Sequence, residues 1–350
     1  MTSINALRIN RNLGIMVCDE QRHWNPERLK IYAADKIRLV VPPEITERYR
    51  LVAAYGNTGT SSIGDELRLT IYREIENFYH SQCEHEGHPP EKFMSIEDIA
   101  SFVFKIITRT KIQHIDSELL YNFGFTTEDF FSGKFKNKDG KSIDIQDEKV
   151  IERAHELISG KSDPIKFHAV FNNAGIVAGY DPDNGFSSYL FSMRENFWEP
   201  VYGGFVAQGS GSDSANFVLG SLFSERPLLH QNAPMDQIDA IIRLLLAVDK
   251  AARNNLGVGG YFNILIFDGN AKNPLDILRQ INDHRSKLAS ETVRAFEAGL
   301  LHDSDVREIL DGILFHNKDC QWGETRMWEG TPDKLHLHRF LRGYSIFENV

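Results

Sequence analysis

Residues 2–21 read TSINALRINRNLGIMVCDEQ. Two alternating, strand-like runs, NALRIN and LGIMVCDEQ, flank the turn-forming RNLG, so the stretch predicts a β-hairpin. Thr2 sits directly behind the initiator methionine. A small residue at this position is common by chance. Removal of Met1, which the small side chain of Thr2 favours, would leave a threonine carrying both a hydroxyl and a free α-amine. That pair is a nucleophile and a base in one residue. The choice between chance and chemistry rests on the rest of the chain.

Working outward, KIRLVV (36–41) predicts a strand stopped by Pro42-Pro43. YRLVAAYG (49–56) predicts another, bounded by Gly56. Ile63, Leu67, Ile71 and Ile75 then recur at helical spacing. SIEDIASFVFKIITR (95–109) predicts a second helix, with Ser95 as N-cap and Asp98 three residues on. Residues 109–163 are charged, contain KFKNKDGKS, and predict a partly helical inserted lobe. The β pattern resumes in KFHAVFNNAGIVAGYD (166–181), SSYLFSM (187–193) and GGFVAQGSGSDSANFVLGSLF (203–223). A long helix, MDQIDAIIRLLLAVDKAARNN (235–255), leads through a glycine-rich turn to the strand YFNILIFDG (261–269). From about residue 272 the chain predicts polar helices. This order suggests a sheet-on-sheet core sandwiched by helices.

The 350 residues carry 39 Lys and Arg against 49 Asp and Glu, a formal charge of −10, which argues against a general nucleic-acid binder. No N-terminal apolar segment suggests a secretory signal, and no uncharged apolar run reaches the roughly 18 residues of a membrane helix. Three scattered cysteines, Cys18, Cys83 and Cys320, give no disulfide framework, and the expected compartment is the cytoplasm.

Two motifs invite other chemistries. YGNTGTSSIG (55–64), NNAG (172–175) and the Tyr32/Lys36 pair of YAADK look like parts of a short-chain dehydrogenase. Their order defeats that reading, because Tyr32 and Lys36 precede the glycine loop instead of following NNAG. HSQCEHEGH (80–88) packs His80, Cys83, His85 and His88 together, but the spacing fits no standard zinc site and has no Cys-x-x-Cys partner. LHLHR (335–339) reads as the face of an element rather than a ligand pair, and Cys18 as a core residue.

Taken together, Thr2 on a strand, GIMVCDEQR (14–22), ADKI (34–37) and AAYGNTG (53–59) opening a helix resemble the β-subunit fold of the proteasome, a family of N-terminal-nucleophile (Ntn) hydrolases. GGFVAQGSGSDSA resembles the family's glycine-serine-glycine turn, and AVDKAARNNLGVGGYFNILIF (247–267) its long helix, Gly-Gly turn and closing strand. The similarity covers about two thirds of the chain in consistent order.

The resemblance implies an α+β fold, specifically a four-layer αββα sandwich. It implies an Ntn domain over residues 2–270 carrying the 109–163 insertion, and a helical C-terminal extension over 271–350. It implies Thr2 as nucleophile, Asp19 as the catalytic acidic residue, Lys36 as the catalytic lysine, Gly56 as the oxyanion-hole glycine and Ser210 as proton relay. A buried Lys36 ammonium would stabilise the developing alkoxide, Asp19 would balance it, and a free α-amine ionises close to neutrality, as a general base requires. Ala54 and Arg38 would lie near the pocket for the residue before the scissile bond, Arg38 either favouring an acidic group there or pairing with a neighbouring carboxylate. No cofactor or metal is called for. Expected partners are a peptide or unfolded-protein substrate, further copies of the chain in a homo-oligomer or ring, and an ATP-dependent unfoldase, with neither nucleic acid nor membrane. The chain departs from the pattern at Asn255 and Val258, where the family carries Asp and Ser. Those departures keep open a catalytically inactive scaffold, and the fold also accommodates a small-molecule amidase.

Overall fold

The computed structural model describes residues 2–24, 29–31, 35–136, 139–159, 171–192, 197–225, 235–255, 258–281 and 283–340. The opening hairpin forms as its alternation dictates: β1 (Ile4–Arg8) pairs antiparallel with β2 (Leu13–Asp19), Ile4 opposite Cys18 and Arg8 opposite Gly14. The short strands β3 (Arg22–Trp24) and β4 (Leu29–Ile31) pair with each other and lead to β5 (Ile37–Leu39). KIRLVV therefore forms a shorter strand than its β-branched composition predicts. After Pro42 the chain turns into α1 (Pro43–Tyr49), with proline in its first turn where a missing N–H costs nothing.

Strand β6 (Val52–Gly59) runs three residues past Gly56 and ends at Gly59, whose φ of +114° suits glycine. Helix α2 (Ser61–Glu86) and helix α3 (Ile96–Phe123) follow. Ser95 and Asp98 form the expected reciprocal capping box, each side chain bonding the other's backbone N–H. Helix α3 continues unbroken across residue 109, to be closed by Gly124 in the left-handed conformation. The inserted lobe thus grows from the end of a core helix. It consists of that end, α4 (Thr127–Ser132), the hairpin β7 (Lys134–Lys136) and β8 (Ser142–Asp144), and α5 (Glu148–Ser159). Ile115, Leu119, Phe125 and Ala154 form its own small core.

The chain returns in the hairpin β9 (Asn173–Asp181) and β10 (Gly185–Ser192), then β11 (Phe197–Pro200), β12 (Phe205–Gln208) and α6 (Ser212–Ser224). Helix α7 (Gln237–Asn254), capped by the Asp236 carboxylate, precedes β13 (Phe262–Asp268) and β14 (Leu278–Ile281). Helices α8 (Asp283–Glu297), α9 (Asp303–Leu314), α10 (Cys320–Gly330) and α11 (Lys334–Phe340) complete the described chain.

The two large sheets have strand orders β12-β1-β2-β13-β14 and β11-β10-β9-β6-β5. Every described ladder is antiparallel, so the chain is α+β. One apolar cluster draws on both sheets, joining Ile4, Ala6, Met16 and Cys18 to Ile37, Val52, Ala54, Ile176 and Phe186. A second joins the opposite faces of β1, β2 and β13 to residues of α6 through α11. A third joins Ala53, Tyr55, Val177 and Phe191 to α2 and α3. In β1, β2, β6, β9 and β13 the period-2 alternation sends successive side chains to different clusters, one shared between the sheets and one shared with helices.

The region after 270 is not purely helical. β14 is a full member of the first sheet, with Ile264 opposite Ile281, and Leu288, Val293, Ile309 and Ile313 share the first sheet's helix-facing core. A boundary at 270 therefore falls between two bonded strands. Among the described residues no helix is long and apolar enough to cross a membrane.

Candidate active site

The hairpin register places the start of β1 beside the end of β2. Ser3 and Asp19 bond there twice: the Asp19 N–H donates to Ser3 O at 3.2 Å, and the Ser3 N–H donates to Asp19 Oδ1 at 2.8 Å. Asp19 is fully buried. A buried carboxylate is costly unless its oxygens are partnered, and these are. Lys36, arriving from the start of β5, puts Nζ 2.8 Å from the same Oδ1. The Gly259 N–H donates to the other oxygen, Oδ2, at 3.0 Å. Two amides and an ammonium thus surround one carboxylate, the satisfaction a buried charge needs.

Thr2 lies one residue along from this ion pair and is itself buried. Its N–H donates to Ser210 Oγ at 3.1 Å, and its carbonyl accepts the Gly211 N–H at 3.2 Å. The turn carrying Ser210 comes this close only because Gly209 has no side chain. A Cβ there would stand 2.2 Å from the Thr2 carbonyl oxygen, and Gly209 also takes a φ of +107°. Asn255, at the end of α7, donates from Nδ2 to the Ser210 carbonyl at 2.8 Å. Val258 is buried, and its N–H donates to the Asn255 carbonyl at 3.0 Å. One short segment, Asn255 to Gly259, therefore touches both Ser210 and Asp19.

Of the five residues singled out from the sequence, the structure brings Thr2, Asp19, Lys36 and Ser210 together. Gly56 sits elsewhere. It lies inside β6, opposite Ile37 on one side and Ile176 on the other. Its missing side chain faces the apolar layer between the sheets, where a Cβ would strike Met16 and Ile37 at under 3 Å. Strand alternation decides where each N–H of β6 points. Asn57 donates to Lys36 O, so the odd-numbered residues face β5, while Gly56 faces β9. Gly59 shares the parity of Asn57, and β5 has ended by then. By that parity its N–H belongs to the β5 side of β6, the side where Lys36 enters.

Ser3 and Gly59 also shape the site without being singled out from the sequence, and Gly209, Gly211 and Gly259 enter there only as members of the Gly-Ser-Gly and Gly-Gly turns. Glycine at a turn signals close approach, but not what approaches. Ala54 is fully buried in the apolar layer between the sheets. Arg38 pairs with Asp35 at 3.0 Å, both half-exposed. The Cys18 thiol is held strongly neutral, first by burial and then by the adjacent Asp19 charge.

His80, Cys83 and His85 lie on the last turns of α2, where His80 pairs with Glu44 at 3.4 Å. No group of three His, Cys, Asp or Glu among the described residues is placed to hold a metal ion. His336 bonds Asp333 at the start of α11. Met1, Tyr32 and residues 160–163 of the expected insertion lie outside the described residues. Compared with known proteins, the chain matches no family model and no curated protein.

Proposed function

We propose that the chain is an N-terminal threonine amide hydrolase, a peptidase, built on a four-layer αββα sandwich of the proteasome β-subunit type. The layering reading is supported by the three apolar clusters: helices, sheet, sheet, helices. One observation carries the chemistry. The Thr2 nitrogen donates to Ser210 Oγ, while the next N–H shares Asp19 Oδ1 with Lys36 Nζ. Residues 208 positions apart in sequence thus meet at the one nitrogen that Met1 removal would convert to an amine.

After trimming, that amine inherits the place now held by an amide N–H and keeps Ser210 as its partner. It takes the proton of Thr2 Oγ as the oxygen bonds to the substrate carbonyl carbon. The nearby Lys36 ammonium, fixed by Asp19, stabilises the oxygen as it loses that proton. The carbonyl oxygen gains negative charge, and the Gly59 N–H replaces Gly56 as the donor that receives it. The Thr2 α-ammonium so formed then returns that proton to the departing amine as the C–N bond breaks. Water, deprotonated by the same amine, hydrolyses the remaining ester. No cofactor enters this scheme.

The resemblance further supports self-association of copies, in a ring, fed with unfolded polypeptide by an ATP-dependent unfoldase in the cytoplasm. A second reading, a scaffold that kept the fold, is favoured by one observation. Val258 presents a buried apolar side chain where a hydroxyl would help orient the amine, and Asn255 adds no charge.

Intact-mass measurement followed by reaction with a peptide epoxyketone separates the two readings. The hydrolase loses Met1 and gains one inhibitor mass on Thr2, because the warhead needs both hydroxyl and amine. A trimmed, assembled sample that stays unlabelled overturns the hydrolase in favour of the scaffold.

A further inference from the structure

Arg68 stands on the buried face of α2, beside Ile63, Gly64, Leu67 and Ile71, and is only 7% exposed. A helix face packed into a core is ordinarily filled by Leu, Ile or Met, and burying a guanidinium there is costly unless its donors are used. They are used in a specific way. Nε donates to Gly64 O at 3.3 Å, Nη2 pairs with Asp65, and Nη1 donates to Asp35 O at 2.8 Å. Asp35 is the residue immediately before Lys36.

We infer that Arg68 is a positioning residue for Lys36, and that it makes α2 the bracket holding the lysine at a fixed distance from the Gly59 N–H. The inference rests on the hydrolase reading above. Helix α2 begins two residues after Gly59, and it reaches back through Arg68 to the backbone beside Lys36. The Lys36 carbonyl is pinned to the same strand-helix unit, because Asn57 donates to it at 3.2 Å. Lys36 is thereby anchored at both backbone ends before its side chain crosses to Asp19. The anchoring matters because β5 is only three residues long and lies at the edge of its sheet. Ladder bonds alone hold such a strand weakly at its first residue. A planar fork with several donors can grip Gly64 O, the Asp65 carboxylate and Asp35 O together, which an ammonium on a flexible stem cannot.

The test compares Arg68→Met, Arg68→Lys and Ile71→Val in Met1-trimmed protein, using a peptide epoxyketone as probe. Ile71 is fully buried on the same helix face and its side chain carries no polar group, so its truncation reports loss of core packing. A displacement of Lys36 by about 1 Å is enough to slow the chemistry by roughly 100-fold. The expected result is a 10- to 100-fold fall in the limiting labelling rate for Arg68→Met by that reasoning, with half-saturating inhibitor concentration changed less than about twofold. Arg68→Lys recovers part of the rate. Ile71→Val lowers the melting temperature but leaves the rate unchanged. Should Arg68→Met fold too poorly to assay, Arg68→Lys alone still reads the rate against unchanged half-saturation. Wild-type labelling matched by equally fast labelling of both Arg68 variants overturns the positioning role while leaving the hydrolase intact. Rates that fall in all three variants in proportion to melting temperature overturn it too. Wild-type protein that never labels overturns the hydrolase, and this inference with it.

Discussion

Replacing Asp19 by Asn tests the buried ion pair at the centre of the site. Two unit charges 2.8 Å apart attract by about 6 kcal/mol at the effective permittivity of about 20 that suits protein sites. The carboxylate also accepts the Ser3 and Gly259 N–H groups, one on each oxygen. An asparagine offers one acceptor oxygen, so its amide nitrogen must face either Gly259 or the Ser3–Lys36 side, donor against donor. The loss combines an uncompensated buried ammonium, about 3–5 kcal/mol, with an unsatisfied buried amide, about 1–3 kcal/mol. Lys36→Met leaves the carboxylate without its cation and costs about 3–5 kcal/mol. The double variant removes both charges and keeps most of the volume, so it is expected to cost less than the sum by at least about 2 kcal/mol. Urea unfolding of wild type, both single variants and the double variant near pH 7 gives the coupling directly. Losses that add to within about 0.5 kcal/mol would show that the two residues are not an energetic unit, and the reasoning would fail.

Ser210→Ala removes the hydroxyl that meets the Thr2 nitrogen. It is expected to slow epoxyketone labelling of trimmed protein by about 100-fold, the lower end of what proton-transfer assistance contributes, with little change in urea midpoint. Gly209→Ala forces a Cβ toward the Thr2 carbonyl at a positive φ, and should lower stability by more than about 1 kcal/mol and abolish labelling, read by calorimetry and mass spectrometry. Burial pushes the Tyr79 and Tyr189 hydroxyls up to about 12. The unfolded chain then releases those protons first, so stability falls as pH rises from about 10 toward 12, and a urea midpoint that stays level across that window contradicts it. Burial likewise holds Cys18 as a thiol, so iodoacetamide near pH 8 should leave it unmodified until the protein is unfolded.

Much of this arrangement is legible in the residues themselves. The hairpin, the Ser95–Asp98 cap, the helical spacing from Ile63 to Ile75 and the paired returns after residue 171 are local patterns whose physics does not depend on distant chain. The Thr2, Asp19, Lys36 and Ser210 cluster is legible only through ordered motifs, since nothing local brings residue 210 to residue 2. What stays hidden depends on partners. Gly56 and Gly59 look alike in sequence, and only the pairing of β6 with β9 shows that one is locked inside a sheet while the other ends it. The Leu278–Ile281 segment is short and half polar, and becomes a strand because β13 offers an open edge. Helix α3 crosses the expected lobe boundary because its stop signal is Gly124, not the charge change at 109. Arg68 reads as a solvated helix residue until its carbonyl partners are known.

The wide spacing of the site along the chain has a consequence for timing. Thr2 and Asp19 leave the ribosome early, yet Ser210 arrives only after about three fifths of synthesis, and Asn255 and Gly259 after nearly three quarters. A nascent chain that has not reached Ser210 holds the Thr2 nitrogen without its hydroxyl partner, and one that has not reached Gly259 holds the Asp19 carboxylate without its second amide. On the hydrolase reading, premature cleavage of neighbouring nascent polypeptides is held back by the order of translation itself.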